Sequence, residues 1–249
     1  MSLHEIFEDG YAKAITKYGD EQDQFLAIVA EARNMPVEAI KKARGIFIPN
    51  DEFMMELFGP EICAYDCYHG DSGLCNWSNA VIFPIRNVNN KVTAFAGFFP
   101  FDYVDTEIEK NYYAYSSQKV FQKGRYLYFP IGNLEDAIND GYLIVVDGLF
   151  DSISLCNVGF HAASFMGSSL TPEILMQLRF VNQIIVPADN DSAGYSLYEK
   201  LKRKLPNVTL FRQGKTKDID DLLKSDYADN AIAELQKIIC RQTSKTSVL

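Results

Sequence analysis

Three apolar runs of about four residues mark the C-terminal half of the chain, and acidic residues follow each of them. Leu143-Ile144-Val145-Val146 leads into Asp147. Ile184-Ile185-Val186 leads into Asp189-Asn190-Asp191, and Val208-Thr209-Leu210-Phe211 is followed after a short loop by Asp218-Ile219-Asp220. Unbroken apolar runs of this length predict strands buried on both faces of a parallel sheet. Between them the period lengthens. Leu149, Ile153 and Cys156 recur at helical spacing. Thr171-Pro172-Glu173 joins a cap residue, a proline suited to the first helical turn and an early acid, and Ala193, Leu197 and Leu201 share a helical face that Asp191 can cap. A further short strand is expected at His161–Phe165. The alternation of strand and helix predicts a parallel sheet with helices on both faces.

The N-terminal half reads differently. The first ~60 residues carry helical stripes such as Phe25, Leu26, Ile28 and Val29, and Pro36 is placed to begin a helix closed by Gly45. Pro60 to Asn79 is a polar loop. From Ala80 the pattern becomes β-rich. Val81–Ile85 and Val92–Ala96 flank the turn-like Asn87-Val88-Asn89-Asn90, and Tyr126–Phe129 is a third strand candidate. Gly132 to Gly141 reads as a short helix and linker. The expected organisation is a mixed α+β subdomain over 1–134, helical to about 60 and β-rich over 80–130, followed by an α/β domain over 135–249 ending in a helix.

Composition narrows the function. With 249 residues, 47% of them hydrophobic, the chain can bury a substantial core. No apolar stretch reaches the ~18 residues needed to span a bilayer, and Met1-Ser2-Leu3-His4-Glu5 does not resemble a secretion signal. Five cysteines, an odd number, suit a reducing compartment, so a cytoplasmic location is expected. The net charge of −9 argues against a nucleic-acid partner until its distribution is considered. Residues 1–80 carry 14 acids against 6 bases, residues 81–134 carry 4 against 6, and residues 135–249 carry 15 against 12. Five of those last acids belong to the clusters after the strands. If cations neutralise them, the later two-thirds of the chain is neutral to basic.

The acids pose a physical question. In a parallel sheet the carboxyl ends of the strands meet at one edge, where ligands bind. Asp147, Asp189, Asp191, Asp218 and Asp220 would repel one another there without a positive partner, and one or two divalent cations supply it. A lone acid after a strand is more often a turn or a helix cap. The ordered combination of Asp-Gly, Gly-Ser-Ser-x-Thr-Pro, Asp-x-Asp-x-Ala-Gly and Asp-x-Asp-Asp-Leu carries more.

Residues 142–223 resemble the Toprim domain shared by bacterial-type primases, topoisomerases and some nucleases, and within it the DnaG-type DNA primases. Val145-Val146-Asp147-Gly148-Leu149-Phe150-Asp151 is similar to the primase Glu-Gly-Tyr-Met-Asp segment. Ala163–Thr171 is similar to Ala-Ser-Leu-Gly-Thr-x-Leu-Thr, Asp189–Gly194 to Asp-Gly-Asp-x-Ala-Gly, and Asp218–Leu222 to Asp-Pro-Asp-x-Leu. Upstream, Phe83-Pro84-Ile85-Arg86-Asn87 resembles Phe-Pro-Ile-Arg-Asp, and Phe121-Gln122-Lys123-Gly124-Arg125-Tyr126-Leu127-Tyr128 resembles Phe-x-Lys-Gly-Arg-x-Leu-Tyr. The resemblance implies a Toprim, Rossmann-like parallel sheet behind a mixed N-terminal subdomain. It implies synthesis of RNA primers from NTPs on single-stranded DNA, with two Mg²⁺ or Mn²⁺ ions on Asp147, Asp189, Asp191, Asp218 and Asp220. Asp147, Asp189 and Asp191 are the expected catalytic residues. Arg86, Lys123, Arg125, Gly167 and Ser168 are the expected nucleotide and template contacts.

Departures from the family pattern matter as well. Asp147 stands where the family has glutamate, one methylene longer. The family's zinc-binding and helicase-docking domains have no counterpart in this sequence, so a phage or mobile-element version is expected, with a helicase or a separate zinc-binding protein as partner in trans. A Toprim nuclease and a non-catalytic primase-like binding subunit are the competing readings. Cys63, Cys67, His69 and Cys75 could form a tetrahedral zinc site, but Cys-x3-Cys-x-His-x5-Cys is not the primase zinc spacing and incidental thiols are the simpler reading.

Overall fold

The computed structural model describes residues 1–65, 77–99, 113–115, 127–165, 170–188, 192–214, 216 and 218–246. The chain divides into two compact units, Met1–Lys123 and Gly124–Leu249.

The first unit packs helices on an antiparallel sheet. Its elements are α1 (Leu3–Ala32), α2 (Val37–Lys42), β1 (Ile46–Ile48), α3 (Asp51–Phe58), a 3-10 turn (Pro60–Tyr65), β2 (Ala80–Arg86), β3 (Val92–Phe98) and β4 (Tyr113–Tyr115). The strands lie in the order β1-β2-β3-β4, all antiparallel. Phe7, Ile46, Met54, Leu57, Trp77, Ile82 and Phe95 form the core between helices and sheet. The Asn87 side chain accepts from the Asn89 and Lys91 amides and shapes the β2–β3 turn.

Three local expectations are corrected here. The region expected to be helical contains β1, too short at three residues to show a period. Pro36 is the cap before α2 rather than its first residue. The helix closes before Gly45, at Ala43, and Arg44 takes the left-handed backbone with φ 60°. Glycine is needed at 45 because a Cβ there would lie 2.8 Å from Ile40 and 3.0 Å from Phe83. β1 is an edge strand, and the buried Gln22 of α1 closes its backbone. Gln22 Nε2 donates to the Phe47 carbonyl and the Phe47 amide donates to Gln22 Oε1, each at 2.9 Å.

The second unit contains α4 (Leu134–Asn139), β5 (Tyr142–Val146), α5 (Leu149–Asn157), β6 (Ala162–Ser164), α6 (Pro172–Leu178), β7 (Gln183–Ala188), α7 (Ser192–Lys202), β8 (Val208–Arg212), α8 (Ile219–Leu223) and α9 (Ala228–Thr246). The sheet is parallel, in the order β6-β5-β7-β8. Its apolar runs are buried on both faces. Leu143, Val145, Ile184 and Val186 pack with Ala137, Ile174, Leu178 and Leu201, which belong to α4, α6 and α7. Ile144, Val146 and Ile185 pack with Leu155, Ile219, Leu222 and Leu235, which belong to α5, α8 and α9. This is a Rossmann-like sheet between two helical layers. The strand expected at Tyr126–Phe129 reduces, within the described residues, to one antiparallel bridge between Tyr128 and Ser164. Among the described residues no helix is long and apolar enough to cross a membrane.

Candidate active site

The chain runs from β5 out to β6 on one side, then returns to β7 on the other. The crevice beyond the carboxyl ends of β5 and β7 is therefore the switch point where open parallel sheets bind ligands. Asp147 leaves the end of β5 and is exposed. Gly148 caps α5 with extended backbone, and Asp151 follows in the first turn of that helix. Asp218 and Asp220 arrive with α8, whose first turn is capped by Asp218 Oδ1 accepting from the Asp221 amide at 2.8 Å.

These residues meet. The Asp220 amide donates to Asp151 Oδ1 at 3.2 Å, tying α8 to α5. Burial, and after it the charges of Asp218, Asp147 and Asp220, push the Asp151 carboxyl up to about 8 from an ordinary 3.8. Four carboxylates thus share one neighbourhood, contributed by two helix starts 67 residues apart (Asp151 to Asp218). Asp151 is the residue that residue-by-residue reasoning missed. It sits four positions after Asp147, and a Cβ at Gly148 would approach its Oδ2 to 2.1 Å. The Asp-Gly-x-x-Asp spacing was the available signal: glycine between the two acids leaves room for the second to fold back.

Asp220 is the most enclosed of the four, at 3% exposure. Ser154 Oγ donates to its Oδ1, and Lys224 Nζ lies 2.5 Å from its Oδ2. Among the described residues no three His, Cys, Asp or Glu side chains form a ready metal cage. The donor set still fits a hard divalent cation. Clustered oxygen donors suit Mg²⁺ or Mn²⁺, and Asp218, Asp147 and Asp220 lie close enough to Asp151 to act on it as like charges.

The other expected site residues fall as follows. Asp189 and Asp191, one and three positions after the last residue of β7, lie outside the described residues. Lys123, Arg125, Gly167 and Ser168 also lie outside them, as do Cys67, His69 and Cys75. Cys63 is exposed in the 3-10 turn, 3.8 Å from the Met55 sulfur. Arg86, at the end of β2, is engaged within its own unit. Its guanidinium donates to Glu8 at 2.9 Å and to the Asn90 carbonyl at 3.0 Å, while Arg44 forks onto the same Glu8 carboxylate at 3.1 and 2.7 Å. Two guanidiniums on one carboxylate leave net positive charge on that face and hold Glu8 below the usual carboxylate range; burial opposes the lowering but the two arginines outweigh it.

Comparison with known proteins places this architecture. Residues 144–223 match the family model described as Toprim-like. The DNA primase of Rickettsia bellii is 35% identical over 120 residues, covering 47% of this chain and 19% of that protein. The DNA primase of Haemophilus influenzae is 31% identical over 139 residues, covering 54% and 22%. The chain therefore spans about a fifth of the length of these two relatives. Among solved structures, the RNA polymerase domain of Mycobacterium tuberculosis primase DnaG superposes with a TM-score of 0.72 at 19% identity, covering 94% of this chain and 83% of that one. The Escherichia coli primase catalytic core gives 0.68 at 23% identity, covering 92% and 79%. A DnaG primase catalytic domain bound to single-stranded DNA gives 0.64 at 24% identity, covering 84% and 69%. Residues 144–223 of the second unit are thus similar to the Toprim-like family. The chain as a whole carries a core related in sequence and in fold to the bacterial DnaG-type primases.

Proposed function

We propose that this chain is a DNA primase core that joins NTPs into short RNA primers on single-stranded DNA. The carrying observation is the meeting of Asp147, Asp151, Asp218 and Asp220 at the carboxyl edge of the parallel sheet, inside the region that matches the Toprim-like family.

In the reaction a primer 3′-oxygen bonds to the α-phosphorus of an NTP, the bond to the β-phosphate oxygen breaks, and pyrophosphate leaves. Such transfer asks the protein for alignment and charge compensation more than for covalent chemistry. Two Mg²⁺ or Mn²⁺ ions, held by Asp147, Asp189, Asp191 and Asp218 with Asp220 beside them, would polarise the phosphate and acidify the hydroxyl. Asp147 is exposed, so it can reach reactants directly, as ligand or as acceptor of the hydroxyl proton. Asp151 and Asp220, more enclosed and joined by the Asp220 amide donating to Asp151 Oδ1, fix α5 against α8 and so hold Asp147 and Asp218 in register. Arg86, Lys123 and Arg125 would contact triphosphate or template, since guanidinium forks match phosphate oxygens. Gly167 and Ser168, ahead of the Thr171 cap of α6, would offer backbone N–H groups to a phosphate.

The test is incorporation of labelled NTPs on single-stranded DNA with Mg²⁺ or Mn²⁺. Short RNA products from the wild type, absent from Asp189→Ala, are expected. Strand cleavage without incorporation would replace the proposal with a Toprim nuclease. Inertness with helicase and zinc-module proteins added would replace it with a binding subunit.

A further inference from the structure

The carboxylate cluster contains a cation of its own. Lys224 closes α8, and its Nζ lies 2.5 Å from Asp220 Oδ2, with side-chain exposures of 16% and 4% for the pair. Ser154 Oγ donates to the other Asp220 oxygen from α5. Both Asp220 oxygens are therefore committed to protein donors. Asp147 is exposed, and Asp218 is partly exposed with Oδ1 assigned to its helix cap.

A buried ion pair is a poor device for stability alone, because desolvating both ions cancels much of their attraction. Apolar residues of similar size would serve α5–α8 packing as well. Here the lysine holds the acid whose own amide donates to Asp151, inside the group of carboxylates at the sheet edge. A fixed positive charge at that point does something an apolar residue cannot: it supplies one permanent unit of the compensation the cluster needs.

We infer that Lys224 is a tethered cation that fills the position beside Asp220, so that Asp220 is a positioning residue and the divalent ions bind on the remaining carboxylates. This inference rests on the metal-dependent reading above. Its consequence is a cluster that stays folded before metal arrives, and an affinity for divalent cations tuned downward by the charge of Lys224.

The test is Mn²⁺ binding to the full chain by calorimetry at low salt, without nucleotide, which reads the ions rather than activity. Lys224→Gln keeps a donor for Asp220 but removes the charge. It should bind Mn²⁺ more tightly, on the order of tenfold, or take up an additional ion. Lys224→Arg should stay within about twofold of wild type, because it restores the charge. Asp220→Asn should lose less than about threefold, while Asp147→Asn loses more than about tenfold. Unchanged or weaker binding by a folded Lys224→Gln would overturn the inference and leave the metal-dependent reading standing. So would an Asp220→Asn loss equal to that of Asp147→Asn. A wild-type chain that binds no Mn²⁺ would overturn the metal-dependent reading itself, and the inference with it. If Lys224→Gln lacks the wild-type far-ultraviolet circular dichroism, the double variant Asp220→Asn/Lys224→Gln, which removes both charges together, carries the test. Affinity within about threefold of wild type supports the inference, and a loss beyond about tenfold overturns it.

Discussion

Replacing Asp151 with asparagine should stabilise the metal-free protein while damaging its site. Asn keeps the shape of the side chain and an Oδ1 that can accept the Asp220 amide, now 3.2 Å away. What it removes is a carboxyl pushed up to about 8 from 3.8, by burial first and then by Asp218, Asp147 and Asp220. Because the folded pKa lies above the unfolded one, folding takes up a proton. The carboxyl's contribution to stability is thus complete below about pH 3.8 and is lost as pH rises toward 8. At pH 7 the interval from 3.8 is roughly three units; at about 1.4 kcal/mol each, that is a ceiling of ~4 kcal/mol. Solvent reaching the partly buried carboxyl lowers this, and a gain of about 2 kcal/mol is expected. Urea unfolding of both proteins in EDTA, at pH 5 and pH 8, measures it. Asp151→Asn should have the higher midpoint at pH 8, the gap should narrow at pH 5, and Mg²⁺ should narrow it again by stabilising the wild type. A variant less stable than wild type at pH 8, or a gap indifferent to pH, would refute the electrostatic reasoning.

Other predictions come from the packing. Gln22→Ala removes both side-chain bonds to the Phe47 backbone at the buried edge of β1, so a loss of about 2–4 kcal/mol is expected in urea unfolding. Gly97→Ala places a Cβ 2.3 Å from the Trp77 ring and should cost about 1–3 kcal/mol in the same assay, with a shift in tryptophan fluorescence. The Cys156 thiol, pushed up to about 11 by burial, should resist alkylation at pH 8 while the exposed Cys63 and Cys240 react, as read by peptide mass mapping.

The strands of the second unit could be read directly because a strand buried on both faces must be apolar at every position, and Leu143–Val146 and Ile184–Val186 are. Helix starts were equally plain at Thr171-Pro172, where the Thr171 side chain does accept from the Ile174 amide. Reading failed where the signal was short or indirect. β1 has three residues, and its outer edge is satisfied by a glutamine 25 positions away, which no local pattern contains. Gly45 read as the residue that closes the helix, whereas its constraint is the approach of Ile40 and Phe83. Asp151 was legible only as the last residue of the segment that resembles the primase motif, with no role attached. Its environment depends on Asp218 and Asp220, brought in by a separate crossover.

By itself the sequence determined the order of strands and helices, the placement of acids after the apolar runs and the resemblance to primases, since all three depend on residues near one another along the chain. The tertiary structure alone decided which of those acids are exposed, which are enclosed, and which one is held by a lysine. Those properties depend on desolvation and on charge separations of a few ångströms between residues distant in sequence. Asp147 and Asp220 look alike as letters after a strand. One faces solvent at the sheet edge, while the other lies in a pocket made by Ser154 and Lys224.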